Sequence, residues 1–171
     1  MVVFAVAATV AISFPTGAVS GETRRPKHVV GQTWVGRVVV VADGDTIEVL
    51  RDGRAVRVRL AGIDAPEAGQ PWSRRARSRL SELTFHRAVT ILVRDVDRYG
   101  RDVVDVTCAD GRRVSDVLVA EGLAWFYSAY STDSELKRLE ADARAARRGL
   151  WSDRSPTPPW LWRQRHSRRA P

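Results

Sequence analysis

The 171-residue sequence is poor in the side chains that most often carry nucleophilic and soft-metal chemistry, with one cysteine and three histidines. A single thiol, Cys108, excludes an intrachain disulfide. It alternates with Val104 and Val106, so it is expected on the apolar face of a strand as a small buried hydrophobe and not as a nucleophile. His28, His86 and His166 share no metal-ligand spacing, which argues against a histidine-built metal site and against Ser-His or Cys-His catalysis. No apolar run is long enough for a comfortable membrane span. The run Val2 to Phe14 has the length of a signal h-region instead. Lysine is scarce as well: only Lys27 and Lys137 are present, so the formal net charge of +8 rests on arginine. Chemistry built from this alphabet must come from carboxylates, arginines and a bound ion.

Composition bounds the rest. An apolar content of 44% in a chain of this length suits one ordinary globular domain. A basic surface attracts polyanions, so nucleic acid or an anionic membrane surface is the expected partner, with a merely solvated arginine-rich surface as the bland alternative. Met1 to Ser20 carries no charged side chain, and Ala18-Val19-Ser20 is spaced like a signal-peptidase site. Residues 1–20 are therefore read as a signal peptide, which makes the protein secreted or periplasmic, although a basic n-region is missing and an uncleaved anchor is the alternative. Residues 21–33, polar and with Pro26, read as a linker.

From Thr33 the pattern turns to short β-rich runs. Val35 to Val41, Thr46 to Leu50 and Ala55 to Ala61 read as three strands, the last two joined by the turn Arg51-Asp52-Gly53-Arg54. A helix is expected after Gly69-Gln70-Pro71, with Pro71 in its first turn and Trp72, Ala76, Leu80 and Leu83 on one face. Ala88 to Val93 and Arg101 to Cys108 supply two more strands. Val114 to Leu123 gives a short helix stopped by Gly122. The spacing Thr132-Asp133-Ser134-Glu135 predicts a capping box for a last helix running to Arg148. It would bury Leu136, Leu139, Ala143 and Ala146. The expectation is an α+β, mainly β fold: a five-stranded oligonucleotide/oligosaccharide-binding (OB-fold) barrel with about three helices outside, a generic α+β sandwich being the alternative.

The acidic residues fall in two short segments. Asp43 and Asp45 flank Gly44, and Asp64 and Glu67 bracket Ala65-Pro66, where proline fixes the backbone. If the barrel joins these segments, Asp45 and Asp64 make a hard-oxygen site suited to calcium or magnesium, with water completing the shell. Arg59 alternates away from the apolar Val58 and Leu60, and Arg101 follows Tyr99-Gly100 at the start of a strand. Two guanidinium groups and a divalent cation suit the charge that builds on a phosphodiester under in-line attack. Glu67 is placed to orient or deprotonate the attacking water. Any one of these residues alone has a duller reading as a turn, cap or surface charge.

Taken together, Asp43-Gly44-Asp45-Thr46, then Arg59 to Glu67 (Arg-Leu-Ala-Gly-Ile-Asp-Ala-Pro-Glu), then Asp97-Arg98-Tyr99-Gly100-Arg101 resemble the staphylococcal nuclease (thermonuclease) family in order and spacing. The likeness extends from about Trp34 to Trp151 and includes Leu123-Ala124-Trp125 and Gly149-Leu150-Trp151, which sets residues 34–151 as the domain. The resemblance implies an OB-fold enzyme that hydrolyses DNA and RNA with Ca2+ and leaves 3′-phosphate ends. It implies that Asp45 and Asp64 bind calcium through carboxylates and Ala65 through its main-chain carbonyl. It places Arg59, Glu67 and Arg101 at catalytic positions, and Arg98, Tyr99 and Tyr130 at the substrate. The family's best-known member has threonine where Ala65 stands, so a side-chain hydroxyl contact is lost while the carbonyl survives. The tyrosine expected two residues before Tyr130 is Ser128, and Tyr127 is the candidate to replace it. For Tyr99 and Tyr130, packing at the barrel rim is the alternative to stacking on a base.

Residues 152–171 form a Pro/Trp/Arg-rich tail whose prolines preclude a continuing helix. Trp160 and Trp162 are expected to pack back on the domain, and Arg163 to Arg169 to add non-specific phosphate contacts. The expected partners are DNA and RNA, single-stranded or frayed duplex preferred, met by a monomer with no stable membrane insertion after processing. A non-catalytic nucleic-acid-binding module is the alternative, disfavoured because Asp45, Arg59, Asp64, Glu67 and Arg101 are all retained.

Overall fold

A computed structural model describes residues 29–167. The expected signal, residues 1–20, and most of the expected linker lie outside the described residues. Seven strands and four α-helices follow in the order β1 (Thr33–Val41), β2 (Thr46–Arg51), β3 (Arg54–Leu60), β4 (Ile63–Asp64), α1 (Ser73–Thr84), β5 (Ala88–Val96), β6 (Asp102–Cys108), α2 (Val114–Ala120), β7 (Trp125–Phe126), α3 (Ser134–Ala145) and α4 (Pro159–Ser167), with a 3-10 turn at Gly149–Ser152. The strands close into the five-stranded barrel β1-β2-β3-β6-β5, as expected, while β4 and β7 form a separate two-stranded ribbon beside it.

Alternation drives the barrel. In β3, Val58 and Leu60 are buried, whereas Arg57 is exposed and Arg59 half-buried. In β1 the register shifts between Val38 and Val40, and this bulge lets Val38 and Val41 both point inward while Val40 faces out. Ile47, Val49, Ile91, Val93, Val104 and Val106 complete the interior. Four neighbouring pairs are antiparallel, but β3 and β6 run parallel, with Val58 opposite Asp102 and Arg59 opposite Val103. That pairing joins the last residues of β3 to the first residues of β6.

The helices cover the barrel through Ala76, Leu80 and Leu83 of α1, Val114, Leu118 and Val119 of α2, and Leu136 of α3. Three expectations about them need correction. Pro71 and Trp72 precede α1: Trp72 holds a left-handed φ of 70° before Ser73 starts the helix, and its indole donates to Asp153 Oδ2 at 3.2 Å. α3 is capped by Asp133 and not by Thr132, because the Asp133 carboxylate accepts from the backbone N–H groups of Glu135 and Leu136. α3 also stops at Ala145, which leaves Ala146 exposed beyond its buried stripe. The tail differs most. Its prolines end one segment, but Pro159 then sits at the first position of α4, where a missing N–H costs nothing. Trp160 does pack back, edge-on to Trp125 at 5.6 Å.

Asp133 joins capping to a charge network, since its other oxygen accepts from Arg113 Nη1 at 2.7 Å. Burial opposes its ionisation, but the Arg113 guanidinium and the N–H groups of Leu136 and Glu135 outweigh that and hold its carboxyl below the ordinary value. A depressed carboxyl stabilises the fold fully above its ordinary value, and this contribution is lost as pH falls from there through the lower value held in the fold. Asp133→Ala is expected to cost about 1–2 kcal/mol and to flatten the acid limb of stability against pH, measured from urea midpoints.

Candidate active site

The barrel places the acidic segments against each other. The loop between β1 and β2 carries Asp43 and Asp45, and the short strand β4 carries Asp64 immediately after β3 delivers Arg59. Asp43 Oδ1 accepts from the Asp45 N–H at 3.0 Å and so shapes the turn. Asp45 then accepts from Thr46 Oγ1 at 3.0 Å through one oxygen and from the Ala65 N–H at 3.0 Å through the other. Gly44 is needed for close approach and not for a special φ. A Cβ there would lie 2.7 Å from the Ala65 Cβ and 2.9 Å from the Ala76 Cβ. The two acidic segments thus touch where any side chain on Gly44 would part them.

Asp45 and Asp64 converge on one point. Arg59 Nη2 lies 2.9 Å from Asp45 Oδ2 and 2.6 Å from Asp64 Oδ1. Asp64 has no exposed surface and Asp45 little. Burial pushes the Asp45 carboxyl up to about 7, with Asp43 and Asp64 adding to the rise and Arg59 and the Ala65 N–H opposing it. Burial also opposes the charge on Arg59, yet Asp45 and Asp64 raise its pKa overall. Asp45 and Asp64 share the Arg59 guanidinium, and a second guanidinium, that of Arg163, closes on Asp64 from the C-terminal helix. The donors of this site are hard oxygens, and this fits calcium or magnesium better than a soft metal. Among the described residues no group of three or more His, Cys, Asp or Glu side chains is arranged to hold an ion. Such an ion would rely on a main-chain carbonyl and water beyond the two carboxylates.

Glu67 is fixed from behind. Its N–H donates to Gln70 Oε1 at 2.9 Å, and the Gln70 amide donates in turn to the Thr157 carbonyl. Gln70 is buried and ties the Glu67 loop to the C-terminal segment. The sequence shows it only as part of a Gly-Gln-Pro loop.

Arg101 belongs to a second cluster. Asp97 accepts from its backbone N–H and from its guanidinium at 2.7 Å. The Arg98 and Arg101 guanidinium groups lie 4.8 and 5.5 Å from the Tyr99 ring centre. Parallel pairing of Val58 with Asp102 sets Arg101 on the same sheet face as Arg57 and Arg59. Tyr99 and Tyr130 are 69% and 78% exposed, which leaves both rings free to meet a ligand. Tyr127 lies beside Tyr130 at 4.8 Å. Its phenol is pushed up by burial and then by the nearby Asp64 charge.

One residue at the centre was expected elsewhere. Arg163 of α4 donates from Nη1 to Asp64 Oδ1 at 3.1 Å and from Nη2 to Asp64 Oδ2 at 2.9 Å, and also to Glu67 Oε1. The sequence suggested phosphate contacts from a loose basic end. The signal that could have placed it is the spacing of Trp160 and Arg163, three residues apart and hence neighbours on a helix face.

Comparison with known proteins gives a consistent picture. The model of the family described as staphylococcal nuclease homologue matches residues 57–153. An uncharacterized endonuclease of Escherichia coli O157:H7 is 47% identical over 130 residues, 76% of this chain and 85% of that protein. A micrococcal nuclease of Shigella flexneri is 43% identical over 139 residues, covering 75% and 80%. A staphylococcal-like nuclease of Arabidopsis thaliana is 42% identical over 108 residues, 63% of this chain and 33% of its own length.

Proposed function

Because the chain belongs to the staphylococcal nuclease family, we propose that it is a calcium-dependent endonuclease that hydrolyses phosphodiester bonds in DNA and RNA with low sequence specificity. The observation that carries this reading is the convergence of the buried carboxylates of Asp45 and Asp64 on one point, with Arg59 and Glu67 around it. Asp45, Asp64 and the Ala65 carbonyl would hold the cation. When bound, that ion supplies positive charge to a phosphate oxygen and acidifies nearby water.

The chain's own residues do the rest. Glu67 takes the proton from the attacking water as its oxygen bonds to phosphorus. The bond from phosphorus to the 5′-oxygen breaks, that oxygen gains a proton, and the phosphate stays on the 3′ end. Arg59 and Arg101 stabilise the charge that builds on the equatorial oxygens. Arg98, Tyr99 and Tyr130 hold the strand by charge and stacking, which favours single-stranded or frayed substrate. Export as a monomer completes the proposal. N-terminal sequencing of the exported protein would begin after Ser20 if the signal is cleaved, and a start at Met1 would exclude cleavage.

The test is direct. Residues 21–171 incubated with single-stranded DNA or RNA should cleave both with calcium and neither with an excess of chelator, followed by gel assay of fragments and their end groups. DNA binding without cleavage in saturating calcium would make the protein a non-catalytic module instead.

A further inference from the structure

α4 brings two side chains to the site at once. Arg163 clasps both oxygens of Asp64 and one of Glu67. One turn earlier, the Trp160 ring lies parallel to that of Tyr127, with centres 5.3 Å apart and planes at 6°. A guanidinium therefore stands against the carboxylates, and a flat indole stands against the neighbouring phenol. These two groups mimic what the site would take from outside: a cation, and a nucleobase stacked on an aromatic ring.

We propose that α4 is an occluding strap, in which Arg163 and Trp160 cover the Asp64–Glu67 carboxylates and the Tyr127 face, so that a divalent cation and single-stranded nucleic acid enter by exchanging places with this helix. The inference rests on the reading given under Proposed function. Asp64 has two oxygens and no exposed surface, and Arg163 takes both while Arg59 shares one. Arg59 and Arg163 together occupy most of the acceptor positions of Asp64, so an ion that takes both of its oxygens must displace Arg163.

The hold is firm enough to form and shallow enough to release. Thr157 accepts from Gln70, Pro159 is buried, and Trp160 rests edge-on against Trp125. Beyond these anchors the helix turns outward: Leu161, Gln164, Arg165 and His166 are exposed, and the Arg163 side chain itself is 39% exposed. Asp64 is buried but the Arg163 side of the pair is part-exposed, and a divalent ion brings twice the charge of one guanidinium to the same oxygens. Release would also turn Arg163 from an internal partner into a phosphate ligand, two residues from the already exposed Arg165. Cation and nucleic acid would displace the same element, so each should strengthen binding of the other.

Two measurements on the full chain decide this. Calcium titrated calorimetrically should bind Arg163→Gln about tenfold more tightly than wild type, because the binding-competent arrangement no longer competes with the strap. In the wild type, hydrogen exchange of the amides in residues 159–167 should quicken on adding calcium, and further on adding single-stranded oligothymidylate. This second readout needs no variant to fold. Unchanged or weaker calcium affinity in Arg163→Gln, or exchange that stays constant or slows, overturns the strap. If wild type still cleaves with calcium in that case, the proposed function stands without it. Absence of both calcium binding and cleavage would overturn the two together.

Discussion

Glu67→Gln is expected to lower kcat by about 10²–10⁴-fold while changing KM little. The substitution keeps the shape of the side chain and an amide oxygen to accept from Arg163, so the arrangement around Asp64 should persist. The backbone of residue 67 remains fixed by Gln70, whose contact is to the main chain. What is lost is an oxygen able to take a proton from water. Steady-state rates on a single-stranded oligonucleotide, with folding checked by thermal melting, give the comparison. A kcat near wild type would remove Glu67 from its role as base. An equal loss through weakened calcium binding would instead assign it to ion binding.

The largest effect on stability is expected at Gly122. This residue ends α2 with a φ of +69°, and an added Cβ would lie 2.2 Å from the Arg148 carbonyl oxygen. At Gly149, with a φ of +53°, an added Cβ would lie the same 2.2 Å from the Gly122 carbonyl oxygen. The two backbones cross where the Leu150 N–H donates to Gly122 O at 2.8 Å. No rotamer change can relieve a clash between a Cβ and a main-chain carbonyl. Left-handed geometry for alanine costs about 1–2 kcal/mol, and forced overpacking about 1–3 more. Gly122→Ala should therefore lose about 2–5 kcal/mol in urea unfolding. The crossing also seats Leu150 and Trp151 against Trp125, from which the chain leads to α4. A loosened crossing should accordingly speed exchange in the tail before the barrel opens. A loss below about 1 kcal/mol would mean that the two segments can separate freely.

Most of the barrel was legible because its strands are short, β-branched and half-buried, so period-two alternation names both element and face. Val56, Val58 and Leu60 against Arg57 and Arg59 are the clearest case. Boundaries failed where a local signal had a competitor. Asp133 beat Thr132 as cap because it also gains Arg113, and Trp72 left the helix to reach Asp153. At the site, the pairing of the Asp43–Asp45 and Asp64–Glu67 segments was foreseeable once a barrel was assumed. Arg163 and Gln70 were not, because their partners lie far along the chain: Arg163 meets Asp64 and Glu67, and Gln70 meets Thr157. Proline in the tail was read as a helix breaker when Pro159 serves as a helix starter.

The parallel β3–β6 pairing has a consequence for how the two arginines stay together. Arg59 stands near the end of one strand and Arg101 just before the start of another, and the stagger of Val58 against Asp102 sets Arg101 beside Arg57, two residues back from Arg59 on the same face. The barrel wall works as a vernier. One notch of slippage would turn Arg101 to the opposite side of the wall, and two would carry it about 6.6 Å along the strand. Lengthening the loop from Asp97 to Arg101 by a residue should thus harm activity more than the same insertion at Asp110-Gly111, although both turns face solvent.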